Sequence, residues 1–179
     1  MTPSGTSLVF RHPASRVRRG PLREFLGELE RRLARGRSIV CLVTGDRELR
    51  DLNRRFRGKN TPTDVLSFVG PGFQPAAAFP GGIPRSTSKL RAKMPAKSRL
   101  QAESLAPLGE LAISLDRARA QAAEHGHTLD DELRILMLHG ALHLAGFDHE
   151  HDQGEMARAE SRWRKRLGLP NGLIERSGQ

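Results

Sequence analysis

Apolar positions along the chain fall into two rhythms, short runs of strand type and longer stretches at helical spacing. Leu8-Val9-Phe10 is a short strand candidate. After the basic residues Arg16, Arg18 and Arg19, Pro21 opens a helix, where proline suits the first turn. Leu22, Phe25, Leu26, Leu29 and Leu33 share one face of it, and Gly36 ends it. Ser38 to Thr44 is continuously apolar and predicts a strand buried on both faces. Asp46 reads as the N-cap of a second helix through Leu49, Leu52 and Phe56. Thr63-Asp64 leads into a third strand, Val65 to Val69. The second half predicts a strand over Gly109–Ser114 and a helix over Leu115–Glu124 that Gly126 stops. Thr128, followed by Asp131 and Glu132, starts a longer helix through Leu133, Leu136, Met137 and Leu138 to about Ala145. A last helix carries Met156, Ala159, Trp163 and Leu167 on one face and ends at Gly168, with Pro170 beyond. No internal repeat is visible, and strands and helices mix without a clean βαβ alternation. This predicts an α+β fold, a small mixed β-sheet packed with helices in one domain.

Between these halves the pattern lapses. Gly70 to about Pro107 is rich in Pro, Gly, Ala and Ser, with no acid between Gly70 and Ala102. Arg85, Lys89, Arg91, Lys93, Lys97 and Arg99 make it basic, and its composition predicts a disordered insertion. Those six cations carry more than half of the formal net charge of +10. A basic chain favours a polyanionic partner, and nucleic acid leads that class, though much of the signal comes from this loop. The one cysteine, Cys41, lies inside the apolar run at 39–43 and cannot staple the fold, so it reads as a core residue. No stretch approaches the roughly 18 apolar residues of a membrane span. The first residues lack the apolar core of a signal peptide, so a cytoplasmic location is expected.

The strongest chemical signal is His139-Gly140-Ala141-Leu142-His143-Leu144-Ala145-Gly146-Phe147-Asp148-His149. His139 and His143 lie four apart in a helical stretch, on one face and one turn from each other, the spacing of two imidazoles on one metal. On a continuing helix His149 would sit roughly 15 Å from His139 along the axis. Gly146 can take a left-handed conformation, end the helix and turn the chain so that His149 returns. Three histidines leave a fourth zinc position open, as in catalytic sites. One Zn2+ on His139, His143 and His149 is therefore expected, with His151 as the alternative third ligand. Asp148 serves either to orient a ligand or to cap the turn. His12, His125 and His127 read as surface residues. The spacing HxxxHxxGxxH is that of the metzincin proteases, which place a glutamate base directly after the first histidine. Here that position is Gly140, which can take no proton and points instead to close backbone approach.

The histidine segment resembles the YbeY family of bacterial endoribonucleases, with Phe147 where tyrosine is more usual. A second block agrees, Leu52-Asn53-Arg54-Arg55-Phe56-Arg57-Gly58-Lys59 followed by Thr61-Pro62-Thr63-Asp64-Val65-Leu66-Ser67-Phe68. A third, Leu108-Gly109-Glu110-Leu111-Ala112-Ile113, agrees more weakly, because the family usually has aspartate at position 110. The resemblance implies a zincin-like single domain. It also implies a single-strand-specific, zinc-dependent endoribonuclease that matures the 3′ end of 16S ribosomal RNA and acts in ribosome quality control. Its implied partners are single-stranded rRNA and the small ribosomal subunit, with ribosomal proteins or an assembly GTPase, and no membrane. Arg57 matches the family's functional arginine, a role that suits a guanidinium able to clamp phosphate oxygens with two hydrogen bonds.

On this reading zinc activates water and polarises a phosphoryl oxygen, while Arg57 stabilises charge developing on the phosphate. No general base stands out. Asp64 has the simpler reading of a turn residue leading into a strand, and Glu110 an equally plausible structural role. Two rivals remain: a zinc hydrolase or metalloprotease of another substrate, and a non-catalytic ribosome-assembly factor with a structural zinc.

Overall fold

In the computed structural model, residues 7–12, 17–69 and 107–177 are described. The basic stretch expected to be disordered lies outside them but for Pro107, whose carbonyl accepts from Arg37 Nη2 at 3.0 Å. Among the described residues, strands β1 (Ser7–Phe10), β2 (Ile39–Thr44), β3 (Val65–Val69) and β4 (Gly109–Ser114) form one sheet in the order β1-β2-β4-β3. β1, β2 and β4 run parallel, and β3 closes one edge antiparallel to β4. The helices are α1 (Arg19–Arg32), α2 (Asp46–Arg57), α3 (Leu115–Glu124), α4 (Leu129–Leu144), α5 (Glu155–Leu167) and α6 (Leu173–Ser177). The expected small mixed sheet packed with helices is therefore present. One part of the topology differs from expectation, because β1, α1 and β2 do form a βαβ unit. A parallel pair needs a crossover connection, and α1 supplies it.

Both faces of β2 are covered, and Ile39 to Val43 are all apolar. Cys41, Val43, Leu111 and Ile113 face the main core, which takes in Leu22, Leu26 and Leu29 of α1 and most of α4. Leu42, Ala112 and Leu66 face the other way, against Leu49 and Leu52 of α2. Cys41 is fully enclosed, and burial pushes its thiol up to about 12, so no thiolate is available at neutral pH.

Local signals set most helix ends. Thr128 Oγ1 accepts from Asp131 N–H at 3.1 Å, the predicted cap of α4. At α2 the cap is Gly45, and Asp46 is the first helical residue. The Asp46 carboxylate is taken by the Ser114 hydroxyl at 2.5 Å, and its own N–H donates to Asp116 at 2.9 Å. A tie to residues distant in sequence, at the β4–α3 junction, takes the place of the local cap. α6 has no counterpart in the sequence pattern, because its five residues are too few for a periodic signal.

Glu110 is the unusual residue of β4. Its strand partners are Phe68 and Val40, and it shares with Ala112 the face that α2 covers. Oε2 is buried without a hydrogen-bond partner among the described residues, and burial raises the carboxyl pKa from 4.5 to about 7. The folded chain thus holds this proton more tightly than the unfolded chain. The native state is disfavoured progressively as pH rises from 4.5 through 7. Glu110→Gln should therefore melt at a higher temperature than the wild type at pH 8, the two converging at pH 4; thermal unfolding at both values checks this.

Candidate functional site

α4 positions two of the three histidines and ends so that the third can join them. Ala145 is its C-cap and Gly146 takes φ 97°, a left-handed conformation. The N–H of Gly146 bonds the His143 carbonyl at 3.0 Å, and that of Phe147 bonds the Leu142 carbonyl at 3.1 Å. This pair of bonds is the Schellman pattern, and the Phe147 side chain completes it by packing against the core that holds Leu142. The turn brings the His149 ring to 5.3 Å from His139 and 5.2 Å from His143, centroid to centroid. One nitrogen from each ring lies within 4.8 Å of the others.

Hydrogen bonding fixes two of the rings. His139 is buried, and its Nδ1 lies 2.9 Å from Glu160 Oε1. His143 Nδ1 lies 3.0 Å from the Phe147 carbonyl oxygen. A carbonyl or carboxylate oxygen only accepts, so each Nδ1 carries the proton and donates. Each Nε2 is then a lone pair in the neutral ring, and the two Nε2 atoms stand 3.2 Å apart. Two lone pairs cannot bond each other. Nitrogens sharing a tetrahedral zinc at about 2.0–2.1 Å would be about 3.3 Å apart, so the pair matches that of a metal site. The His143 pKa is lowered, first by burial and then by the neighbouring charges of His139 and His149, against the opposing pull of the Phe147 carbonyl and Asp148. The shift favours the neutral, ligating form. The three histidines could thus hold a metal ion, and their exposure rises from buried His139 through half-buried His143 to exposed His149.

His151 is exposed and its Nδ1 lies 2.8 Å from Asp148 Oδ2, outside the three-histidine cluster. Asp148 also accepts from the Glu150 N–H at 3.1 Å, so it caps the turn and bonds no histidine of the cluster. Arg57 ends α2 half-exposed, with Nη2 4.0 Å from Glu150 Oε1, the residue after His149. Asp64 accepts from Val65 N–H at 3.1 Å and Gln121 Nε2 at 3.3 Å, the turn role. His12 and His127 are not the surface residues expected. His12 Nε2 lies 3.3 Å from Asp116, and His127 is largely buried with Nε2 2.5 Å from Glu132.

Sequence reasoning missed Glu160. The signal was present: Glu160 sits four residues after Met156 and three before Trp163, an acid on the apolar face of α5. A carboxylate in that position requires a buried partner. Gly140 does what close approach demands. A Cβ there would lie 2.6 Å from Leu111 Cδ2, 3.2 Å from Ser67 Oγ and 3.3 Å from Val65 Cγ2. Ser67 Oγ donates to the Gly140 carbonyl at 3.3 Å. The face of α4 at this position is pressed against β3 and β4, with no room for a glutamate.

Several known proteins are similar to this chain. The family model for endoribonuclease YbeY matches residues 21–168. The chain is 46% identical over 175 residues to the endoribonuclease YbeY of Solibacter usitatus, spanning 98% of this chain and 97% of that one. It is 40% identical over 141 residues to the namesake from Nautilia profundicola, spanning 79% of this chain and 80% of the relative. A Thermotoga maritima protein of known solution structure shares the fold, with a TM-score of 0.50 and 23% identity over 90% of this chain and 93% of that one.

Gly140→Ala separates two effects of opposite sign. Helix propensity alone would stabilise α4 by about 1 kcal/mol, whereas overpacking costs about 1–3 kcal/mol. A net loss of about 1 kcal/mol is expected; urea denaturation measures it, and a gain would mean that the strands yield.

Proposed function

The chain belongs to the YbeY endoribonuclease family, and we propose that it is a zinc-dependent endoribonuclease cutting single-stranded RNA, with His139, His143 and His149 holding the ion. The observation that carries this reading is the pair of Nε2 lone pairs facing each other, each fixed by a committed Nδ1–H. When bound, zinc supplies Lewis acidity toward a phosphoryl oxygen and lowers the pKa of water. Exposure supports a working rather than a structural role, since His149 opens the cluster to solvent. A structural zinc more often has four protein ligands including cysteine, and Cys41 is buried in β2.

Arg57 binds and orients the phosphate. Its guanidinium is exposed on the side of α2 that meets the loop carrying His149, and its contact with Glu150 is long and solvent-exposed. Such a contact is weak and readily exchanged for a phosphate. Along the rest of α2, Arg47, Arg50, Arg54 and Arg55 are also exposed and add positive charge that attracts an RNA backbone without base readout. Gly140 leaves the metzincin base position empty, which supports RNA over peptide as substrate.

The biological target follows from the same reading: the 3′ end of 16S rRNA, on the small subunit in the cytoplasm, with a part in ribosome quality control. Ribosomal proteins or an assembly GTPase would deliver the site, since the enzyme reads little sequence itself. No described helix is long and apolar enough to cross a membrane.

The decisive experiment is cleavage of a labelled single-stranded rRNA fragment by the zinc-loaded protein. His143→Ala and chelator should each abolish cutting. Arg57→Ala should reduce the rate by about 100-fold or more while metal content stays at one ion. Cleavage that survives His143→Ala at matched folding would remove the site from the reaction, and peptide hydrolysis without RNA cutting would favour the rival hydrolase.

A further inference from the structure

We propose that the C-terminal segment 171–177 is a latch on the histidine cluster, acting through Glu160 as a positioning residue for His139. The inference rests on the metal-site reading above and concerns what sets the strength of that site.

Glu160 is 1% exposed. A buried carboxylate is tolerated only where its oxygens are satisfied, and here the two oxygens serve different parts of the chain. Oε1 takes the His139 Nδ1–H at 2.9 Å. Oε2 takes the backbone N–H of Ile174 at 2.9 Å. Ile174 lies in the first turn of α6, where helix amides have no partner within the helix. The carboxylate therefore bridges the C-terminal segment to the imidazole. Its seat is closely fitted: a Cβ at Gly172 would meet Glu160 Oε2 at 2.5 Å and Cδ at 2.8 Å.

The segment needs external support, because a five-residue helix does not stand alone. Arg176 provides it by gripping Glu132 with two hydrogen bonds, of 3.0 and 3.1 Å. Glu132 is fully buried on α4, two turns before His139 on the same helix, and His127 shares its carboxylate. Glu175 adds a bond to Arg164 of α5 at 3.0 Å. The latch is thus pinned to α4, which carries His139 and His143, and to α5, which carries Glu160. Its effect on His139 is chemical. Donating Nδ1–H to a carboxylate fixes the tautomer, holds the ring and makes Nε2 a stronger ligand.

The test uses the full-length protein stripped of metal. Zn2+ affinity is read by competition with a chromophoric chelator, and ligand geometry by the visible absorption of the Co2+ form. Glu160→Gln keeps shape and volume but cannot accept both bonds on a charged group, and should weaken Zn2+ binding about 10–100-fold and shift the Co2+ bands. Gly172→Ala leaves the carboxylate in place and crowds it, and should act in the same direction; it decides the matter if Glu160→Gln does not fold. Leu49→Val, across the sheet from the cluster, serves as the control: it should lower the melting temperature and leave both metal readouts unchanged. Wild-type affinity in the two latch variants would overturn the proposal, as would an equal loss in Leu49→Val. Wild-type protein that binds neither ion would remove the metal-site reading, and the latch with it.

Discussion

Two imidazole nitrogens 3.2 Å apart, each with its ring's other nitrogen committed as a donor, cannot relieve their repulsion by bonding each other. Much of the surrounding structure works to hold them there. The Schellman turn at Gly146 ends α4 and also aims the Phe147 carbonyl back at His143. Folding α5 back against α4 places Glu160 beneath His139. The lone pairs face each other because local backbone geometry and a buried carboxylate act on adjacent turns of one helix.

α4 can do this only because it is buried almost all round. Leu133, Leu136, Met137 and Leu142 are fully enclosed in the main core. Gly140 lets the helix approach β3 and β4 closely enough for Ser67 to reach its carbonyl. A helix this confined has little freedom to rotate or slide, since packed interiors resist small shifts. Its orientation determines where the imidazole nitrogens point, and the sheet fixes that orientation.

How much of this could be read from the chain depends on the range of the interaction. The spacing of His139 and His143, the break at Gly146 and the Thr128 cap are local, and residue chemistry within one or two turns specifies them. Arg57 was legible as a motif residue, but its position beside the His149 loop comes from α2 packing against β3 and β4. Glu160 and Ile174 meet across 14 residues and a turn, and Glu132 meets Arg176 across 44. Periodicity tells which face of a helix is buried, not what lies against it. Polar residues on apolar faces, such as Glu132 and Glu160, mark where such partners must exist without naming them. The cap at Asp46 failed for the same reason, because a residue distant in sequence claimed its carboxylate.

The gradient of exposure across the three histidines has a kinetic meaning. His139 and His143 are fixed by packing and hydrogen bonds, whereas His149 sits exposed on the turn between α4 and α5. On the reading proposed above, an ion would meet two ligands already in place and be closed in by the third. Exchange would then follow an order, with His149 last to engage and first to leave. The motion needed would be that of a short surface turn rather than of the core, and replacing the ion would not require the domain to unfold.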